Sequence, residues 1–252
     1  KVYSIYNSGL LKAVKFDNHA SKYNLVIICT GHNSNLIKEK FDSKIVKNSY
    51  QETAITTILN HDSCKNNIVR QIFFKKGILA LLPISNKRTS VVLSIKNNIN
   101  IQNVNFFKNK IRYFAKNYFK NINFLNNIEF KDLNLFIRSK YFFDRVLLFG
   151  DALHVIHPFV GQGFNMTLRD LESLQKILFE KISLGLDVGS LDTLSEFSME
   201  TKPRNFAFSL STDILKNSLS MKSFRNDALK ILNKNNLAKN IFFDIADRGF
   251  RF

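Results

Sequence analysis

GDALHVIHPFVGQGFNMTLRD, running from Gly150 to Asp170, decides how this chain reads. A short apolar run, Arg145 to Phe149 (RVLLF), leads into it, and a helical pattern begins near Asn165. A short apolar run bounded by glycine reads as a buried strand. Asp151 then stands just past a strand end, where a carboxylate can accept hydrogen bonds from the hydroxyls of a sugar-like chain. Pro158 stiffens the following loop, because its φ is preset and it has no N–H to satisfy. Gly161 and Gly163 carry no Cβ, so the backbone on either side of Gln162 can approach a flat ligand closely. Phe164 and Asn165 open a helix whose free N–H groups and positive dipole end favour negative charge.

This run resembles the second flavin-contacting motif of class A flavin monooxygenases, the aromatic-ring hydroxylases. The nearest wording is that of the ubiquinone-biosynthesis hydroxylases: GDAAH, two residues, HP, two residues, GQG, any residue, N. Gly150, Asp151, Ala152, His154, His157, Pro158, Gly161, Gln162, Gly163, Asn165 and Asp170 all fall in place. The resemblance implies FAD as cofactor, with Asp151 on the ribitol chain. Pro158, Gly161, Gln162, Gly163, Phe164 and Asn165 would line the flavin, and the helix start would favour its reduced, negatively charged form. It further implies NAD(P)H or another electron donor and hydroxylation of a phenol ring on a lipid-soluble, prenylated quinone precursor. Such a cofactor carries the hard chemistry itself, so no catalytic general base and no metal ligand is nominated. His154 and His157 are expected to be loop histidines satisfied by backbone.

Upstream, Tyr23 to Cys29 (YNLVIIC) is a nearly continuous apolar run, as expected of a buried parallel strand. It should lie in one layer with Arg145–Phe149, although more than a hundred residues intervene. An earlier pair of strands is expected around Leu10 to Phe16. In the resembling family the place after the buried strand reads LVVGADG, two residues, S. Gly31 and Ser34 match, whereas Thr30 replaces the Asp that helps secure the phosphate end of the cofactor. Ile68–Phe74, Ile78–Ile84 and Thr89–Ile95 are β-branched and aromatic runs separated by short turns, the pattern of an antiparallel meander. Within the resemblance this is the substrate domain, and GILALLPI matches one of its strands.

Phe106 to Lys120 carries Phe106, Phe107, Ile111, Phe114, Ala115 and Phe119 at helical spacing. Leu168, Leu171, Leu174, Leu178 and Ile182 mark one face of the helix after the motif, which Gly185 should end. From Ser190 the chain reads as two or three helices broken near Pro203. Residues 203–252 hold nine Lys or Arg against four Asp or Glu, with Phe242, Phe243, Phe250 and Phe252 interleaved. That suits an ordinary amphipathic helix, and secondarily a membrane-surface element.

The expected fold is a mixed α/β (α+β) one. Residues 1–38 and 139–189 form an FAD-binding domain of the aromatic hydroxylase type, 39–138 an antiparallel-sheet substrate domain, and 190–252 C-terminal helices. The Rossmann fingerprint GxGxxG is absent. In the family it opens the protein and binds the ADP half of FAD through a helix start. The chain therefore reads as the C-terminal two-thirds of a hydroxylase. A split-gene or accessory remnant without catalysis is one alternative, and an epoxidase or halogenase of the same fold is another.

Hydrophobic residues make up 45% of the 252, which excludes a disordered chain. The net charge of +17 comes from lysines spread along the chain beside many asparagines, with no nucleic-acid motif, so no nucleic-acid partner is expected. Cys29 and Cys64 make neither a disulfide framework nor a metal spacing. A cytoplasmic setting follows, with peripheral association at the inner membrane or with a ubiquinone-synthesising complex suggested by the lipid-soluble substrate.

Overall fold

A computed structural model of the chain describes residues 1–41, 45–74, 77–96, 103–157 and 163–220. The elements begin with β1 (Ser4–Ser8), β2 (Leu11–Lys15), β3 (Ala20–Tyr23), β4 (Val26–Ile28) and α1 (Asn35–Phe41). β5 (Ile45–Asn60), β6 (Arg70–Phe74), β7 (Gly77–Ser85), β8 (Arg88–Lys96) and α2 (Val104–Ala115) follow. Next come β9 (Asn123–Phe124), β10 (Glu129–Arg138), β11 (Phe142–Phe143) and β12 (Val146–Leu148). A 3-10 turn (Gly150–Ala152), β13 (His154–Val155), α3 (Gly163–Ser183) and α4 (Leu191–Ser220) complete the described chain. Two compact units emerge: Lys1–Asn48 with the chain from Leu135, and Ser49–Asn134. β5 and β10 each begin in one unit and end in the other.

In the first unit, β4 and β12 pair in parallel, Val26 with Val146, Leu147 with Ile27 and Leu148 with Ile28. Backbone bonds from Val26 to Arg145 and from Phe149 to Ile28 extend the pair at both ends. The two apolar runs thus share one layer, with β11 on the far side of β12. β12 is wholly buried, but β4 is shorter and more open than expected. Tyr23 ends β3, and Ile27 is 40% exposed. The reason is position, since β4 is the edge strand of this sheet. Ile28, Val146, Leu147, Leu148, Leu174, Ile177, Leu194 and Phe197 join in one core cluster, which draws α3 and α4 onto the strands.

α3 ends as expected. Gly185 adopts φ +67, and Leu186 N–H reaches the carbonyl of Lys181, the left-handed cap that glycine tolerates best. Its buried face, however, is Met166, Asp170, Ser173, Leu174 and Ile177. Leu168, Leu171 and Ile182 of the expected face are exposed. α4 runs unbroken through Pro203. The ring lies on an exposed position, so the backbone carbonyl it frees can be hydrated rather than forcing a break.

The second unit holds the expected meander. β6, β7 and β8 pair antiparallel in sequence, and β8 also pairs along the end of β5, from Glu52 with Lys96 to Asn60 with Arg88. β5 has no counterpart in the sequence-based expectation. Leu79, Leu81, Val91, Leu93 and Ile95 alternate inward and meet Phe107, Ile111 and Ala115 on one stripe of α2. The α2 helix begins where the Asn103 side chain accepts from Phe106 N–H. It ends at Ala115, before the expected Lys120, because Tyr118 and Phe119 both turn back onto the Ala115 carbonyl.

Candidate functional site

The two parallel strands set the site, because their carboxyl ends are where α/β sheets open toward ligands. β12 ends at Leu148, and Gly150 follows in the left-handed region at φ +61. A Cβ there would lie 3.6 Å from Thr167 Cγ2, so space is available and backbone conformation is the constraint. Gly150→Ala is therefore expected to cost about 1–2 kcal/mol of stability, read as a lowered urea midpoint with unchanged slope.

Asp151 occupies the central position of the 3-10 turn that Leu153 N–H closes onto the Gly150 carbonyl. Its side chain is exposed, and among the described residues it has no hydrogen-bond or ion-pair partner. A carboxylate that a rigid turn presents without a protein partner is placed to accept hydrogen bonds from something else.

Gly163 begins α3, Phe164 is 71% exposed and Asn165 is half-buried. No acidic residue occupies the first turn, so no fixed negative side chain offsets the positive end of the dipole there. Gly163 has no positive φ, and among the described residues a Cβ would meet only Ile156 Cγ1 at 3.7 Å. The conformational demand falls on Gly150 instead. Pro158, Gly161 and Gln162 lie outside the described residues.

Sequence reasoning missed Arg138. Its side chain is 2% exposed and donates to the carbonyls of Ala152 at 3.1 Å, Phe41 at 2.8 Å and His32 at 3.2 Å. It thereby ties the turn bearing Asp151 to the segment beyond β4 that contains Gly31. No motif marks an arginine at the end of a polar strand. Its role exists only once three distant carbonyls converge.

A second cluster also escaped the sequence reading, although two of its members belong to the motif. His154 is not a loop histidine bonded to backbone. It lies in β13, which pairs with β10, and its Nε2 contacts Asp170 Oδ2 at 2.8 Å. A carboxylate can only accept, so Nε2 carries the hydrogen. His157 is 1% exposed. Asp170, fully buried, also accepts from Arg204 Nη2 at 3.2 Å and from Asn205 Nδ2 at 2.9 and 3.1 Å. Asn205 reaches the Tyr141 hydroxyl as well, and burial pushes that hydroxyl well above the usual phenol range. Burial, then the neighbouring Arg204 charge, pull the Arg169 guanidinium below its ordinary value.

The FAD binding domain family matches residues 24–202 of the chain. The ubiquinone biosynthesis monooxygenase COQ6, mitochondrial, of Homo sapiens is 26% identical over 238 residues, covering 79% of this chain and 51% of that protein. The ubiquinone hydroxylase UbiL of Rhodospirillum rubrum is 26% identical over 225 residues, covering 86% of this chain and 50% of its own. The chain thus spans about half the length of these curated relatives. Among solved structures, Klebsiella pneumoniae HpxO complexed with FAD and uric acid superposes with a TM-score of 0.73 at 15% identity. That match covers 98% of this chain and 65% of the other, and at such identity it speaks for the fold alone.

Proposed function

Because the chain belongs to the FAD binding domain family, we propose that it is part of an FAD-dependent monooxygenase. Its substrate would be the aromatic ring of a prenylated ubiquinone precursor. The observation that carries the reading is Asp151, an exposed carboxylate without a partner among the described residues, presented past the parallel pair on a left-handed glycine. A ribitol chain offers the hydroxyls such a group needs. The α3 start, with no acid in its first turn, suits the electron-rich end of a flavin. The chemistry and the family agree, so the residues present fit the cofactor.

Asp151, Gly163, Phe164 and Asn165 would hold FAD, together with Pro158, Gly161 and Gln162. When bound, FAD supplies the electron transfer and the activation of oxygen. The protein's part is to bind, orient and exclude water. Asp151 fixes the ribitol, the α3 dipole lowers the energy of negative charge on the ring, and Arg138 keeps the Asp151 turn in place. Overall, NAD(P)H or another two-electron donor, oxygen and a proton yield one hydroxyl on the ring and one water.

Substrates of this kind dissolve in the bilayer, which favours a peripheral position at a membrane surface. Among the described residues no helix is long and apolar enough to cross a membrane. The test is turnover by the full-length protein with a prenylated phenol under isotopically labelled oxygen. Label in a new ring hydroxyl is expected. Oxygen consumption that yields only hydrogen peroxide would count against this substrate class.

A further inference from the structure

The groups around Asp170 belong to elements with different duties. Asp170 lies seven residues beyond Gly163, about 10 Å along α3 from the helix start. His154 lies three residues beyond Asp151, in β13. Asp170 Oδ2 and His154 Nε2 therefore tie the helix start and the acidic turn to each other through one buried contact. The other donors to Asp170 come from Arg204 and Asn205, both on α4. None of the residues expected to touch the cofactor lies on α4.

We propose that Asp170, His154, Arg204 and Asn205 form a positioning cluster that makes flavin retention depend on the seating of α4. This rests on the FAD reading above. With α4 seated, the buried carboxylate receives a donor from each of three side chains, so its acceptor sites are filled and its orientation is fixed. With α4 displaced, it loses the donors of Arg204 and Asn205 and keeps that of His154. The turn and the helix start then lose their common reference. Further contacts bind the same region to α4. Ser173 donates to Glu200 at 2.6 Å, and Arg204 also reaches the Ser173 hydroxyl at 3.3 Å. Tyr141 and Arg169 are the remaining ionisable neighbours described around Asp170.

A purely structural cluster would lower stability without touching cofactor affinity. FAD dissociation constants, the flavin absorbance band and the melting temperature of the FAD-free form, all on the full-length protein, separate the two. His154→Leu and Asn205→Ala should weaken FAD binding about tenfold or more, the scale on which outer partners tune ligand groups at metal sites. They should also alter the band shape of whatever flavin remains bound. His154→Gln, whose amide can still donate to Asp170, should stay near wild type. Should His154→Leu fail to fold, Arg204→Ala at the accessible edge of the cluster carries the same expectation, with a several-fold loss. Lowered melting points with unchanged FAD affinity and an unchanged band would overturn the proposal. A wild-type protein that binds no FAD would overturn the FAD reading first and this inference with it.

Discussion

Asp170→Ala is expected to remove about 3 kcal/mol of stability, near the lower end of what breaking a buried ion pair costs. The residue is 0% exposed and accepts from His154, Arg204 and Asn205. Alanine leaves those donors without the carboxylate that satisfied them. Unsatisfied buried polar groups each cost about 1–3 kcal/mol. Arg204 retains partial access to solvent and can rehydrate, so the sum falls short of full additivity. Asp170→Asn should lose less, because its amide oxygen still accepts from Arg204 and Asn205 and its amide nitrogen can donate to His154 once the imidazole takes its other tautomer. Urea unfolding would read the difference as a shifted midpoint with unchanged slope. A loss below about 1 kcal/mol for alanine would place Asp170 among ordinary surface-like sites.

Gly189→Ala should be nearly as damaging, for a different reason. A Cβ at Gly189 would stand 1.9 Å from the Asn24 carbonyl oxygen and 2.7 Å from Arg145 Nη1. Asn24 immediately precedes Leu25 and β4, and Arg145 immediately precedes β12. Arg145 donates to Asn24 O at 3.1 Å and to Asp187 Oδ1 at 2.8 Å, and Gly189 N–H donates to the same Asp187. The added methyl must therefore move backbone at the entry of the parallel pair. Overpacking of this kind costs about 1–3 kcal/mol, and the backbone clash argues for the upper half. Gly163→Ala is the control. Among the described residues its Cβ has ordinary clearance, and no positive φ opposes it, so stability should not fall.

Much of the fold was legible because it rests on short-range pattern. The apolar runs at Tyr23–Cys29 and Arg145–Phe149 announced the two strands of the parallel pair, although Tyr23 ends β3 and β4 stands at the sheet edge, and the β-branched and aromatic runs over Ile68–Ile95 announced the meander. What escaped depends on partners far away in sequence. α3 is apolar on both sides, and hydrophobicity alone favoured Leu168, Leu171 and Ile182. The buried side instead includes Asp170 and Ser173, whose burial is possible only because Arg204, Asn205 and Glu200 meet them. β5 stayed hidden because Lys47, Asn48, Gln51 and Glu52 interrupt its apolar residues, and Gln51 takes φ +50 within the strand. Pro203 read as a break because local rules cannot tell that its helix position faces solvent. At the candidate site, Asp151 and the glycines were readable as a motif. Arg138 and the α4 donors were not, since a single sequence does not reveal which carbonyls or carboxylates will converge.

Titration of the full-length protein with FAD, wild type beside Asp151→Ala, tests most directly whether Asp151 holds the cofactor. Loss of a charge-assisted hydrogen bond to the ribitol is worth about 1.5–3 kcal/mol, or roughly ten- to a hundredfold in dissociation constant. The FAD-free melting temperature should barely move, because the exposed carboxylate has no partner among the described residues to lose. A weakened FAD complex on an equally stable protein is the predicted result. Equal FAD affinity in the two proteins would contradict the assignment of this site.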